Sequence, residues 1–228
     1  MVSQDSEREH RILERILTLK QLRADGFGGP AECHELAVAY YCLGNFAPAL
    51  ESIDELVRSY PDYVEIGAVY ALQALLLVET ADYERAEPLL DRRIELYPTD
   101  TKLRAMRAFV FEKTGRVRQA IQEHRAILDM DPDNLNSLNG LGYLLALHAE
   151  SKEEREEALR VLSRALKSKP EYAPYLDSLG VYFAADGDFR RAHRALMKAL
   201  EIEPDNGEVI DHLRELVTRM RRSRAKSD

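Results

Sequence analysis

The stretch Ala173–Asn206, APYLDSLGVYFAADGDFRRAHRALMKALEIEPDN, constrains this chain more than any other. It holds two segments of helical length and periodicity, a Gly-Asp turn between them and a proline near its end. Read upstream in steps near 34 residues, the same pattern returns four times. A fixed period of this size signals a repeat architecture. One helix–turn–helix unit cannot bury its apolar face alone, so neighbours stack and share a core. The expected fold class is all-α, a solenoid of five helix–turn–helix repeats with a capping helix at each end.

The first repeat covers residues 30–63, with Leu36, Ala37 and Tyr40 on its first helix, Gly44 and Phe46 at the turn, and Ala49, Ile53 and Pro61 after it. Three extra residues, Val64–Ile66, precede the second repeat at 67–100, which carries Tyr70, Ala74, Leu77, Tyr83, Ala86, Leu90 and Pro98. The third, 101–134, has Ala108, Phe111, Gly115, Ala120, Ile127 and Pro132. The fourth, 135–172, has Leu141, Gly142, Leu145, Ala158, Leu162, Ala165 and Pro170, with about four extra residues expected in a charged loop, His148–Glu157. The fifth, 173–206, has Leu179, Gly180, Phe183, Gly187, Phe189, Ala192, Leu196, Ala199 and Pro204.

These residue types have a physical reason. One site on each first helix is small (Ala37, Ala74, Ala108, Gly142, Gly180), and so is one on each second helix (Ala49, Ala86, Ala120, Ala158, Ala192). Small pairs let two helices approach closely, and the large residues between them interdigitate. Proline cannot continue a helix, so it stops each second helix, and the Asp or Asn that follows supplies turn and capping chemistry.

This pattern resembles the tetratricopeptide repeat, over about 175 of 228 residues. The departures are Gln73 and Arg107 at sites usually apolar, Arg93 at a small or aliphatic site, and Val117 in place of an aromatic residue. The resemblance implies a right-handed superhelix whose first helices line a concave groove. The groove sites map onto a stripe of Val38, Leu75, Phe109, Tyr143 and Val181, flanked by His34, Tyr41, Ala71, Lys102, Ala105, Asn136, Asn139 and Asp177. An apolar stripe with a few hydrogen-bonding groups suits an amphipathic helix or extended peptide. Phe109, Tyr143, Asn136 and Asn139 are the residues expected to matter most. The chaperone-tail-binding branch of the family grips a terminal carboxylate with lysine, asparagine and arginine. Here those sites hold His34, Val38, Leu72 and Met106, with Lys102 alone agreeing, so that ligand is not expected.

Outside the repeats, residues 1–29 read as a polar start, a capping helix from about Ser6 to Ala24 and a hinge, DGFGGP. The apolar residues of this helix cover more than half its circumference, so it wants contacts on two sides. That leaves open a self-assembling alternative, a homo-oligomer such as a dimer through this helix or the end repeats, which a charge at Leu13 or Leu17 would disrupt. Residues 207–219 read as a C-terminal capping helix, and 220–228 as a basic, disordered tail. Cys33 and Cys42 stand about 13 Å apart on one helix at 1.5 Å per residue, too far for a disulfide.

No catalytic constellation emerges. The six histidines are scattered, without HExxH, HxH or CxxC. His124 falls at a core position, and Glu153, Glu154, Glu156 and Glu157 suit a helix start through its dipole. The net charge of −8 disfavours general nucleic-acid binding. No signal peptide or membrane span is visible. The reading is a cytoplasmic, non-catalytic adaptor with no cofactor and no metal, whose partner is a protein or peptide.

Overall fold

A computed structural model describes residues 4–224 and contains twelve helices among them. It divides into two compact units, Met1–Val110 and Phe111–Asp228.

The first unit begins with α1 (Gln4–Ala24), which packs on α2 (Pro30–Cys42). Ile16 and Leu19 meet Leu36 and Ala39 there, and Arg15 grips Glu35 through two hydrogen bonds of 2.6 Å. The opposite side of α1 is open, with Leu13 44% and Leu17 69% exposed. The proline at the start of α2 sits where a helix has no use for its missing N–H. Then follow α3 (Phe46–Ser59), α4 (Ile66–Glu79), α5 (Tyr83–Leu96) and α6 (Thr101–Lys113), the last shared with the second unit at Val110. Ala37 and Ala49 are fully buried at the α2–α3 contact, with Ile53, Leu56, Val69 and Leu76 around them. Ala74 and Ala86 repeat that arrangement beside Leu77, Leu90 and Val110. Cys33 is buried, Cys42 exposed, and both are free thiols.

The polar residues at apolar repeat positions are compensated. Gln73 donates from its Nε2 to Asp54 on α3 at 2.8 Å, and Arg107 donates to Asp91 on α5 at 2.7 Å. Arg93 lies over the rings of Tyr70 and Tyr97. In each case a second-helix residue faces a first-helix one, so the helices still pack, although the Arg93 Nε stays buried without a hydrogen-bond partner.

The fourth repeat turns at Ala149 with φ −60°, whereas the other four pass through a left-handed residue after the first helix. Gly44 (φ 70°), Gly115 (φ 77°) and Gly187 (φ 83°) supply it, but the second repeat places Ala81 there at φ 57°. An L-residue in that region is disfavoured by about 1–2 kcal/mol, part of which glycine loses again through its freer unfolded chain. Ala81→Gly is therefore expected to raise the unfolding free energy by about 0.5–1 kcal/mol. Urea denaturation followed by circular dichroism reads this directly. A loss of stability would contradict the strain argument.

The second unit holds the rest of α6, α7 (Val117–Met130), α8 (Leu135–His148), α9 (Lys152–Ser168), α10 (Ala173–Asp186), α11 (Phe189–Ile202) and α12 (Gly207–Arg224). Its core is contiguous and includes Leu141, Leu145, Leu162, Leu196, Val209 and Leu216. The two glycine sites are contacts rather than gaps. A Cβ on Gly142 would stand 2.4 Å from Leu162 Cγ, and one on Gly180 2.6 Å from Leu196 Cγ.

Two segments differ from the sequence expectation. The extra residues of the fourth repeat lengthen α9 to 17 residues rather than forming a loop through Glu157. Ser151 caps it by accepting from the Glu154 N–H at 3.1 Å, and Arg118 from α7 holds Glu150 and Glu154. Capping and charge pairing make one more helical turn preferable to a loop. At the other end, α12 runs on to Arg224, because Met220 packs against the core and Arg219 pairs with Glu215 one turn back. Residues 225–228 of the basic tail lie outside the described residues.

Candidate functional site

The stripe residues sit on first helices, and the two units present them differently. In the first unit Val38 is 40% exposed on α2, Leu75 is half-buried on α4, and Phe109 is 38% exposed on α6. Phe109 is not loose, since its ring meets Tyr83 edge-on at 6.4 Å between centroids. Lys102 and Ala71 are exposed and Ala105 is half-buried. His34 stands 3.2 Å from the Glu65 carboxylate and edge-on to Tyr63, while Tyr41 packs on Phe46. Val38 and Phe109 are thus the stripe side chains of this unit most open to solvent, one on α2 and one on α6.

In the second unit Asn136 is exposed and Asn139 and Tyr143 are half-buried on α8. Val181 and Asp177 on α10, by contrast, are buried. Val181 belongs to the core of this unit. Asp177 is taken up by α12, where His212 Nδ1 lies 2.8 and 3.0 Å from its two carboxylate oxygens. That hydrogen bond raises the His212 pKa above its ordinary value, against the opposing effect of burial, and Asp177, Glu208 and Asp211 add favourable charge. The Tyr143 ring also meets the His212 imidazole, at 6.2 Å. Burial, then the charges of Glu208, Asp177 and Glu112, push the Tyr143 hydroxyl up.

A further grouping is invisible in the linear sequence. Asp177, Glu208 and His212 each bring a potential ligand atom to one spot, all within 4.8 Å of one another. The sequence reading expects no metal ligands. A spacing of one helical turn between Glu208 and His212 was there to be seen, but Asp177 comes from another helix. His124, expected in the core, has its Nδ1 enclosed and without a hydrogen-bond partner, and burial lowers its pKa to about 4.

Small buried residues where paired helices cross, and in four of the five repeats a left-handed glycine or alanine after the first helix, define the repeat unit. A tetratricopeptide repeat protein of Parabacteroides merdae superimposes with a TM-score of 0.70, over 87% of this chain and 76% of that one, at 14% identity. The chain has the tetratricopeptide-repeat fold. YrrB, a TPR protein with an unusual peptide-binding site, matches this repeat chain with a TM-score of 0.60 over 86% of it and 96% of YrrB, at 16% identity. In sequence, a TPR repeat-containing protein of Pseudomonas aeruginosa is 30% identical over 172 residues, 75% of this chain and 28% of that protein. The chain thus spans less than a third of the length of the curated relatives it matches first. No family model matches it. Among the described residues no helix is long and apolar enough to cross a membrane.

Proposed function

We propose that this protein is a non-catalytic adaptor that binds a helix or extended peptide of a partner protein on its first-helix faces. The observation that carries this reading is the pair of open apolar side chains, Val38 and Phe109, on first helices of a repeat fold. A large aromatic residue left partly in water on a rigid helix is the kind of anchor that binding surfaces use. Leu75, Lys102, Asn136, Asn139 and Tyr143 would complete the contacts, each within its own unit. Val181 and Asp177 contribute less to this reading, because both side chains are buried.

Leu13 and Leu17, exposed on α1, favour a second reading in which this helix pairs with a second copy of the chain. One experiment separates the two. Affinity capture from native lysate compares the wild type with Phe109→Ala/Tyr143→Ala, both verified as equally helical by circular dichroism. The expected result is a protein held by the wild type and lost by the double variant. Equal capture by both would overturn the adaptor site. Recovery of the chain's own copies alone, abolished by Leu13→Glu/Leu17→Glu, would replace it with self-assembly.

A further inference from the structure

The second unit contains a grouping that partner binding does not use. Glu208 and His212 lie four residues apart on α12, the spacing that puts two side chains one above the other on a helix. Asp177 on α10 meets them from the neighbouring helix, and the three ligand atoms fall within 4.8 Å of one another. Asp177 is buried, His212 half-buried and Glu208 exposed, so the spot is anchored on one side and open on the other.

The charges at this spot do not balance. Two carboxylates converge on one imidazole, and Asp211 and Glu112 add to the negative field felt by His212 and Tyr143. A neutral imidazole with two carboxylates carries a charge that one divalent cation cancels. One nitrogen and two oxygen donors suit zinc, cobalt or nickel, whereas calcium and magnesium prefer all-oxygen sets. Three protein ligands on a tetrahedral ion leave one position open.

We propose that Asp177, Glu208 and His212 form a binding site for a divalent transition-metal ion that clasps α12 to α10. On binding, the metal takes the place of the proton on His212 Nδ1, and Asp177 turns from hydrogen-bond acceptor to ligand. From the imidazolium the Nδ1 proton is released to solvent, and from the neutral Nδ1–H tautomer it moves through solvent to Nε2, so the metal-bound ring is a neutral imidazole in either case. Neighbouring ligands around a tetrahedral ion with bonds of about 2.0–2.2 Å stand about 3.3–3.6 Å apart, so the 2.8 Å His212–Asp177 contact opens by about 0.5–0.8 Å to admit the ion. The His–Asp pair holds the helices together without metal, and the ion would draw in Glu208, which the pair alone leaves exposed.

The test uses the full chain freed of metal by chelation, titrated with zinc chloride by calorimetry and with cobalt chloride by visible absorption. The expected result is one zinc per chain and cobalt d–d bands of low-coordinate, nitrogen- and oxygen-ligated ion. Glu208→Gln leaves the His212–Asp177 contact in place, so the fold is retained. It is expected to weaken zinc at least about tenfold, as loss of a ligand does at minimum. His212→Gln should abolish the cobalt bands. Absence of zinc binding by the wild type, or binding and spectra unchanged in both variants, would overturn the site and assign the cluster to a simple ion pair.

Discussion

Leu196→Ala is expected to lower the unfolding free energy by about 2–5 kcal/mol, the range for removing a fully buried leucine and leaving a cavity. Leu196 is 1% exposed and lies against the helix carrying Gly180. The informative measurement is the combination with Gly180→Ala. A methyl on Gly180 would stand 2.6 Å from both Cγ and Cδ2 of Leu196 and 3.4 Å from the Leu196 backbone nitrogen. Cδ2 can swing away, but Cγ cannot move without taking the side chain off its packed position. Alone, Gly180→Ala therefore forces a repacking of about 1–3 kcal/mol, offset by up to about 1 kcal/mol of helix propensity. In the Leu196→Ala background the obstacle is gone, and the new methyl enters the space it left. The double variant is expected to be more stable than Leu196→Ala alone by about 1 kcal/mol, a coupling of the size seen between residues in contact. Urea unfolding of the four proteins measures this. Strict additivity would mean that Gly180 is tolerated for its flexibility and not required by the close approach.

Acid is expected to destabilise this protein through His124. Its imidazole lies against Gly140, where an added Cβ would stand 2.6 Å from Nε2, and its Nδ1 is enclosed without a partner. Burial disfavours the cation and lowers the pKa from 6.5 to about 4. The folded-state pKa of this base is depressed. The unfolded chain thus binds the proton first, and the contribution to stability is intact above pH 6.5 and lost as pH falls towards 4. Between about pH 7 and pH 4.5 the loss is about 2 kcal/mol, from a shift of this size at 1.36 kcal/mol per pH unit. His124→Leu removes the titrating group and the orphaned nitrogen. The stability difference between variant and wild type is expected to move in favour of the variant by about that amount over this interval. Parallel pH profiles for the two proteins would show that His124 accepts its proton without leaving the packed position.

Most of the architecture was legible in the residues. Local rules set it: a period near 34, prolines that stop second helices, and small residues at each crossing, Ala37 with Ala49 and Ala74 with Ala86, which the structure buries completely. Each of these acts within one unit or between adjacent units, and contacts that are close in sequence are the ones a pattern can encode. The unpaired cysteines and the core position of His124 followed in the same way.

What only the tertiary structure decided involves side chains that meet across helices. Gln73 and Arg107 break the apolar pattern, and their partners Asp54 and Asp91 lie 19 and 16 residues away on neighbouring helices. Asp177 reads as a groove residue until His212, 35 residues on, is seen to hold it. Val181 shares the stripe spacing of Val38, yet one is buried in a core and the other is 40% exposed. Helical spacing states which face a residue occupies, and exposure depends on what is packed against that face. The length of α9 and the reach of α12 to Arg224 were set in the same way, by Arg118 holding Glu154 and by Met220 finding the core. The repeat is a property of the chain read locally, whereas the site is a property of which helices come to lie side by side.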